Sequence, residues 1–133
     1  ITEPIGGIHG NFAMVGVFEK GKAEVIFALA NGKEVGFALF FHNFSTFLGR
    51  AGIYLEDLFV KPEFRGKGIG EALLIKLSQI TVERGCGRLE WACLDWNTPS
   101  IAFYKSLGAC PMDGWTTYRL TGDTLSKLAE GGK

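Results

Sequence analysis

Residues Ile53–Gly70 read I-Y-L-E-D-L-F-V-K-P-E-F-R-G-K-G-I-G. The first eight are a strand-like apolar run, Ile53 to Val60. Pro62 ends it, because proline has no N–H to give to a ladder. The last six, Arg65 to Gly70, are a glycine turn that opens a helix over roughly Gly68 to Arg84. In that helix Ile69, Leu73, Leu77 and Ile80 fall on one stripe at helical spacing. Gly85 and Gly87 stop it. The strand breaks its own pattern at Glu56 and Asp57, since strict alternation sends only one of two adjacent residues to solvent. A bulge resolves the conflict, and bulges are frequent beside active sites. A carboxylate exposed at a sheet edge is the plainer reading.

Working outward, Glu24 to Ala30 and Glu34 to Phe41 are two strand-like runs. Asn31-Gly32 between them is a hairpin signal, because both residues tolerate positive φ. Phe44 to Gly52 reads as a loop. Downstream, Arg88 to Leu94 reads as a strand, and Asp95 to Pro99 opens another helix. Thr98 is the expected cap there and Pro99 suits the first turn. That helix carries Ile101, Phe103, Tyr104 and Leu107 and ends at Gly108. Trp115 to Leu120 reads as a last strand and Asp123 to Ala129 as a short terminal helix. The order is β-β-β-α-β-α-β. It predicts an α/β (α+β) fold whose mixed central sheet is an antiparallel meander followed by a β-α-β-α-β half. The strand after the long helix should pair in parallel with the third, through a right-handed crossover. Residues 1–133 read as one domain, with 1–22 an irregular or remodelled leader in which only Phe12 to Phe18 suggests a strand.

The 133 residues carry 14 Lys plus Arg and 14 Asp plus Glu, a net charge of zero. Nucleic-acid binding that rests on bulk charge is therefore not expected. An apolar fraction of 47% argues against disorder as the main state. No apolar run reaches membrane-spanning length, and Ile1 to Gly10 has no secretory signal pattern. Cys86, Cys93 and Cys110 form neither a disulfide framework nor a C-x-x-C pair, so free thiols and a reducing compartment are expected, and no metal. The 17 Phe, Trp and Tyr residues, 13% of the chain, suit self-association through exposed aromatics.

The glycine turn is the sharpest chemical signal. Backbone N–H groups at a helix N-terminus point outward with partial positive charge, and glycines let a phosphate approach them. Arg65 and Lys67 add cationic donors. The dinucleotide fingerprint fails, because the sixth position counted from Gly66 is Glu71. The Walker pattern fails too, because no Gly-Lys-Ser/Thr follows. A mere helix-starting turn is the bland alternative.

R-G-K-G-I-G resembles the R/Q-x-x-G-x-G/A signature of the GNAT superfamily of acyl-CoA-dependent N-acyltransferases. The resemblance extends to Y-L-E-D-L-F-V-K-P-E-F, Tyr54 to Phe64, and to L-D-W-N-T-P-S-I-A-F-Y-K-S-L-G-A, Leu94 to Ala109. It also takes in G-W-T-T-Y-R-L, Gly114 to Leu120. It spans about Glu34 to Ala129 and looks like the diamine acetyltransferase branch, which holds spermidine/spermine-type and thialysine-type enzymes.

The resemblance implies acetyl-CoA as cosubstrate, no metal, and direct transfer to an amine in a ternary complex. It gives backbone groups of Leu58, Phe59 and Val60 to the pantetheine and thioester. Arg65, Gly66, Lys67, Gly68, Ile69, Gly70 and Glu71 fall to the pyrophosphate. Asn97 to Ser100 would line the pantetheine side. Tyr104 sits at the position of the acid that protonates the departing thiolate, although alone it reads as a core aromatic beside Phe103. Glu56 and Asp57 match an acidic pair that binds a cationic amine or takes its proton. Of the two, Glu56 is favoured for function and Asp57 for structure. Asp113 matches an acidic position near the acceptor and reads equally well as a solvated turn residue. Cys93 and Cys110 read as buried structural thiols rather than acyl carriers, because neither His9 nor His42 is visibly paired with them.

Members of the family usually carry a strand and one or two helices before the hairpin, so the N-terminal elements read as abbreviated. The loop Phe44 to Arg50 holds no Asp, unlike spermidine-type members, and resembles the thialysine type. A small diamine or lysine-like acceptor is therefore preferred to a long polyamine. The resemblance also implies a cytoplasmic homodimer with a small-molecule amine substrate and neither nucleic-acid nor membrane partners. The alternatives are a catalytically impaired CoA-binding or dimerisation module and a peptide N-acetyltransferase of the same superfamily.

Overall fold

A computed structural model describes residues 2–4, 11–18 and 22–131, with side chains over 22–131. It divides into two compact units, Ile1–Ala92 and Cys93–Lys133. His9 lies outside the described residues.

The first unit is a six-stranded sheet in sequence order. Its strands are β1 (Thr2–Pro4), β2 (Asn11–Phe18), β3 (Ala23–Ala30), β4 (Lys33–Ser45), β5 (Arg50–Val60) and β6 (Leu89–Glu90). β1 to β5 run antiparallel, and β6 joins β5 in parallel at Ile53–Leu89 and Tyr54–Glu90. The mixed sheet, the antiparallel meander and the parallel pairing follow the sequence reading. The hairpin forms where Asn31 and Gly32 predict it, with φ of 52° and 78°, the twist that suits a two-residue turn. Helix α1 (Ile69–Glu83) packs its Leu73, Leu77 and Ile80 on the sheet. Phe40, Ile26 and Ile53 are fully buried beneath it.

Five expectations of local structure need correction. In the leader, the strand suggested over Phe12 to Phe18 forms as β2, and β1 also pairs into the sheet, so the described part is less irregular than expected. The expected loop Phe44 to Gly52 shrinks to a tight turn at residues 46–49. Ser45 closes it by accepting Gly49 N–H on its carbonyl at 2.8 Å and Leu48 N–H on its hydroxyl at 3.1 Å. The strand expected over Arg88 to Leu94 is only Leu89–Glu90. After it the chain turns back on itself, Asn97 N–H to the Leu94 carbonyl at 3.0 Å. No strand forms over Trp115 to Leu120, where Trp115 and Tyr118 stand 80% and 92% exposed. An apolar, aromatic run has strand propensity but needs a ladder partner to become one, and among the described residues this run pairs with none.

The second unit holds α2 (Thr98–Ser106) and α3 (Gly122–Ala129). Asn97, not Thr98, caps α2, its side chain accepting from Ser100 N–H at 3.4 Å. Thr98 is instead the first helical residue, with Pro99 in the first turn as expected.

Candidate active site

β5 is bulged where its sequence demands it. Leu39 pairs with Asp57 and Phe40 with Leu55, so Glu56 is the extra residue. The slip lets Leu55 stay buried while Glu56 and Asp57 are both exposed, which strict alternation forbids. Beyond the bulge, Leu58 and Val60 are half-buried and Phe59 is exposed. β5 runs on to Val60 against β4 but meets β6 only at Ile53 and Tyr54. Among the described residues, no strand pairs with that edge of Leu55 to Val60. Its backbone groups are the kind that an extended ligand can use.

The far end of β5 is tightly fixed. Gly36 lies opposite Val60, and a Cβ there would come within 2.7 Å of the Phe59 carbonyl oxygen. One residue earlier, Val35 is the extra residue of a second bulge, in β4. Its carbonyl accepts the Lys61 N–H at 2.8 Å. The sequence reading missed both residues. The available signal was a glycine inside the apolar run Glu34 to Phe41, which marks a bulge or a close backbone approach. The Phe37 ring lies 5.7 Å from that of Phe59 and braces the same strand end.

A single 3₁₀ turn, Pro62–Phe64, leads into the glycine turn. Gly66 and Gly68 take φ of 76° and 83°, the left-handed region that other residues enter at a cost, with open space where a Cβ of Gly66 would stand. Gly68 caps α1 without any side-chain hydrogen bond, and the first helical bond runs from Ala72 N–H to its carbonyl at 3.0 Å. The first-turn N–H groups, those of Ile69, Gly70 and Glu71, thus have no intrahelical acceptor. Arg65 sends Nε to the Val60 carbonyl at 2.9 Å, its guanidinium carbon 5.8 Å from the centre of the Phe59 ring. Lys67 Nζ lies 5.3 Å from the centre of the Phe64 ring. Both cations are exposed, as is Glu71 in the first turn. Open backbone donors, two cations and no Cβ in the way suit a pyrophosphate. The structure therefore gathers Glu56, Asp57, Leu58, Phe59, Val60 and the turn Arg65 to Glu71 along one strand-turn-helix path.

In the second unit, Asn97 and Ser100 hold each other through the α2 cap. Tyr104 is half-buried with its ring 5.6 Å from that of Phe103. Burial pushes its phenol above the ordinary range, and the neighbouring Cys93 adds to the shift. Asp113 is fully in the solvent-facing stretch that runs from Cys110 to Gly131. Cys110 is exposed and Cys93 only half-buried, so neither is the buried structural thiol expected. Cys110 opens the exposed stretch that runs to Gly131. Among the described residues, no group of three His, Cys, Asp or Glu side chains is placed to hold a metal ion. None of the described helices is long and apolar enough to cross a membrane.

Sheet, glycine turn and long helix in this order define an acetyltransferase fold. The chain belongs to the acetyltransferase (GNAT) family, whose profile matches residues 8–109. It is 42% identical over 98 residues to the thialysine N-epsilon-acetyltransferase of Bos taurus, covering 71% of this chain and 57% of that protein. It is 43% identical over 93 residues to an L-ornithine N5-acetyltransferase of Arabidopsis thaliana, covering 70% of this chain and 41% of that one. Among solved structures, an integron cassette protein from the mobile metagenome of V. cholerae superposes with a TM-score of 0.78. The two are 37% identical, with 84% of this chain and 69% of the other covered. This chain thus spans between two-fifths and three-fifths of the length of these two curated relatives.

Proposed function

We propose that this protein transfers an acetyl group from acetyl-CoA to a primary amine of a small diamine or lysine-like acceptor. The uncapped glycine turn at the end of a bulged strand carries the reading, because it offers backbone donors at a place where no side chain competes for them. The acceptor class draws on the relatives whose names specify thialysine and ornithine. It also draws on the two exposed carboxylates, Glu56 and Asp57, which suit a cationic amine.

Acetyl-CoA supplies the acetyl group as a thioester open to attack by an amine. First-turn N–H groups of α1 hold the pyrophosphate, with Arg65 and Lys67 adding charge. Backbone groups of Leu58, Phe59 and Val60 align the pantetheine, and a backbone N–H there steadies the oxyanion. Asn97 and Ser100 contribute to the pantetheine side. Glu56 accepts the proton that an ammonium group must lose before it attacks. Tyr104 gives its phenolic proton to the departing sulfur, an acid of suitable strength for a thiolate. Asp57 and Asp113 help to hold the acceptor's cationic end. The transfer is direct, with no acyl-enzyme. Free thiols at Cys86, Cys93 and Cys110 suit the reducing cytoplasm. The exposed Trp115, Tyr118 and Leu120 suit a homodimer interface.

The test is release of CoA thiol from acetyl-CoA with thialysine, lysine, ornithine, putrescine, spermidine and a short peptide in parallel. Thialysine, lysine or ornithine should lead the rank order. Peptide-only release would move the acceptor to polypeptide N-termini, and failure of every amine to release thiol, from folded protein, would leave a CoA-binding module.

A further inference from the structure

We propose that Cys86 is a modification site, a thiol that exchanges with small disulfides and reacts with soft electrophiles ahead of the chain's other two cysteines. The proposal stands apart from the acetyl transfer, because its residues lie at the C-terminal end of α1, away from the glycine turn.

Four side chains of the first unit meet there. Arg84, at the end of α1, pairs with Glu24 of β3 through two hydrogen bonds, 2.6 Å from Nη1 and 2.8 Å from Nη2. The same Nη1 lies 2.9 Å from His42 Nε2 on β4. His42 Nδ1 in turn lies 3.7 Å from Cys86 Sγ. Arginine is a donor only. His42 Nε2 must therefore accept from it, and the ring's proton sits on Nδ1, aimed at the sulfur. His42 cannot serve as a base for the thiol in this arrangement; it donates to the sulfur. Glu24 keeps the guanidinium in place, and Glu83 is the other charged neighbour of Arg84 on α1.

The other two sulfurs have the opposite surroundings. Cys93 Sγ faces the Leu94 carbonyl at 3.5 Å and Cys110 Sγ the Gly108 carbonyl at 3.9 Å. A carbonyl oxygen accepts from a thiol and opposes negative charge on sulfur. An imidazole N–H favours that charge, and the thiolate is the nucleophile. Position is fixed as well. Gly85 N–H donates to the Val82 carbonyl and Cys86 N–H to the Thr81 carbonyl, both at 3.0 Å, the two bonds that lock a helix end. Cys86 is half-buried, which leaves a path for a small reagent.

In the exchange the Cys86 thiol loses its proton, and its sulfur attacks one sulfur of a low-molecular-weight disulfide. A new S–S bond forms as the old one breaks. The thiolate that leaves takes up a proton, so Cys86 is oxidised and the disulfide is reduced in balance.

Oxidised glutathione is the probe, with adducts at the three cysteines quantified by peptide mass spectrometry over time. Exposure alone ranks Cys110 first. The proposal ranks Cys86 first, and an adduct on Cys110 that forms as fast or faster overturns it on the wild-type protein without any variant. His42→Phe keeps a ring of similar size and removes the N–H. The Cys86 rate should then fall about tenfold, the worth of one hydrogen bond to a charged group, while Cys110 in the same sample is unchanged. A Cys86 rate that stays level or rises in His42→Phe also overturns the proposal.

Discussion

The Nε of Arg65 donates to the carbonyl of Val60 at 2.9 Å. The last residue of β5 and the first of the glycine turn are thus joined by a side chain across five positions. Nε belongs to the strand, and the two terminal amino groups of the guanidinium carry the donors left for an anion. One residue can both shape the turn and bind at it.

Arg65→Lys separates the two roles. Lysine keeps the charge but cannot hold the Val60 carbonyl and reach an anion with a planar fork. The expected result is a KM for acetyl-CoA raised about fivefold to tenfold, with kcat little changed, in line with one exposed charge-assisted contact. Thermal melting should move only slightly. An unchanged KM with a clear loss of melting temperature would reduce Arg65 to a turn staple.

Gly36→Ala tests the fixed end of β5. The added methyl would meet the Phe59 carbonyl oxygen at 2.7 Å. The obstacle is backbone, so β4 and β5 must move apart. A loss of about 1–3 kcal/mol in denaturant unfolding is expected, the usual range for forced overpacking. Activity in protein that remains folded should fall further than stability alone explains, because Phe59 belongs to the strand end proposed to hold the thioester. Full activity in Gly36→Ala would show that the precise spacing there is irrelevant to turnover.

What the sequence made legible is what local chemistry decides. Asn31-Gly32 names its turn, the helix stripe from Leu73 to Ile80 names the face that packs, and the adjacent Glu56 and Asp57 name a bulge. These signals lie within a few residues of one another. The failures are of another kind. Trp115 to Leu120 has the composition of a strand and pairs with none of the described strands, because pairing is decided by a distant segment and not by propensity. Asn97 and Thr98 are both good caps, and only the backbone's point of entry into the helix chooses Asn97. For the candidate site, the turn Arg65 to Gly70 was readable as an anion cradle. The grip of Gly36 and Val35 on its approach was not, since both act through residues more than twenty positions away.

Glu24→Gln probes the ion pair with Arg84, which clips β3 to the end of α1. The hydrogen bond from Arg84 holds the Glu24 carboxyl below its ordinary range, against an opposing push from burial. A carboxyl lowered by folding stabilises the protein above its unfolded value, and that stabilisation is lost as pH falls through the folded value. The wild type should exceed Glu24→Gln by about 1 kcal/mol at neutral pH, the scale of a partly exposed bidentate pair. The gap should begin to narrow as pH falls below the ordinary glutamate value of about 4.3 and close only below the lowered folded value, where the carboxyl is protonated in both states. Urea unfolding at neutral and acid pH reads the two values. A gap that persists undiminished in acid would assign the loss to packing rather than charge.

Tyr104→Phe tests the proposed acid with a change of one oxygen. Without the phenol the departing sulfur must take its proton from water, and kcat should fall about a hundredfold or more, the low end of general-acid catalysis. KM for acetyl-CoA should move little, because the ring remains. Burial, with Cys93 adding to it, raises the phenol above its ordinary range. A raised value keeps the proton on Tyr104 to higher pH, so the alkaline loss of kcat in the wild type should begin above about pH 10. The acid limb, set by deprotonation of the amine, should be common to both proteins, whereas the alkaline limb should vanish in Tyr104→Phe. A variant that keeps the wild-type kcat and the wild-type alkaline limb would return Tyr104 to the role of a packing partner for Phe103.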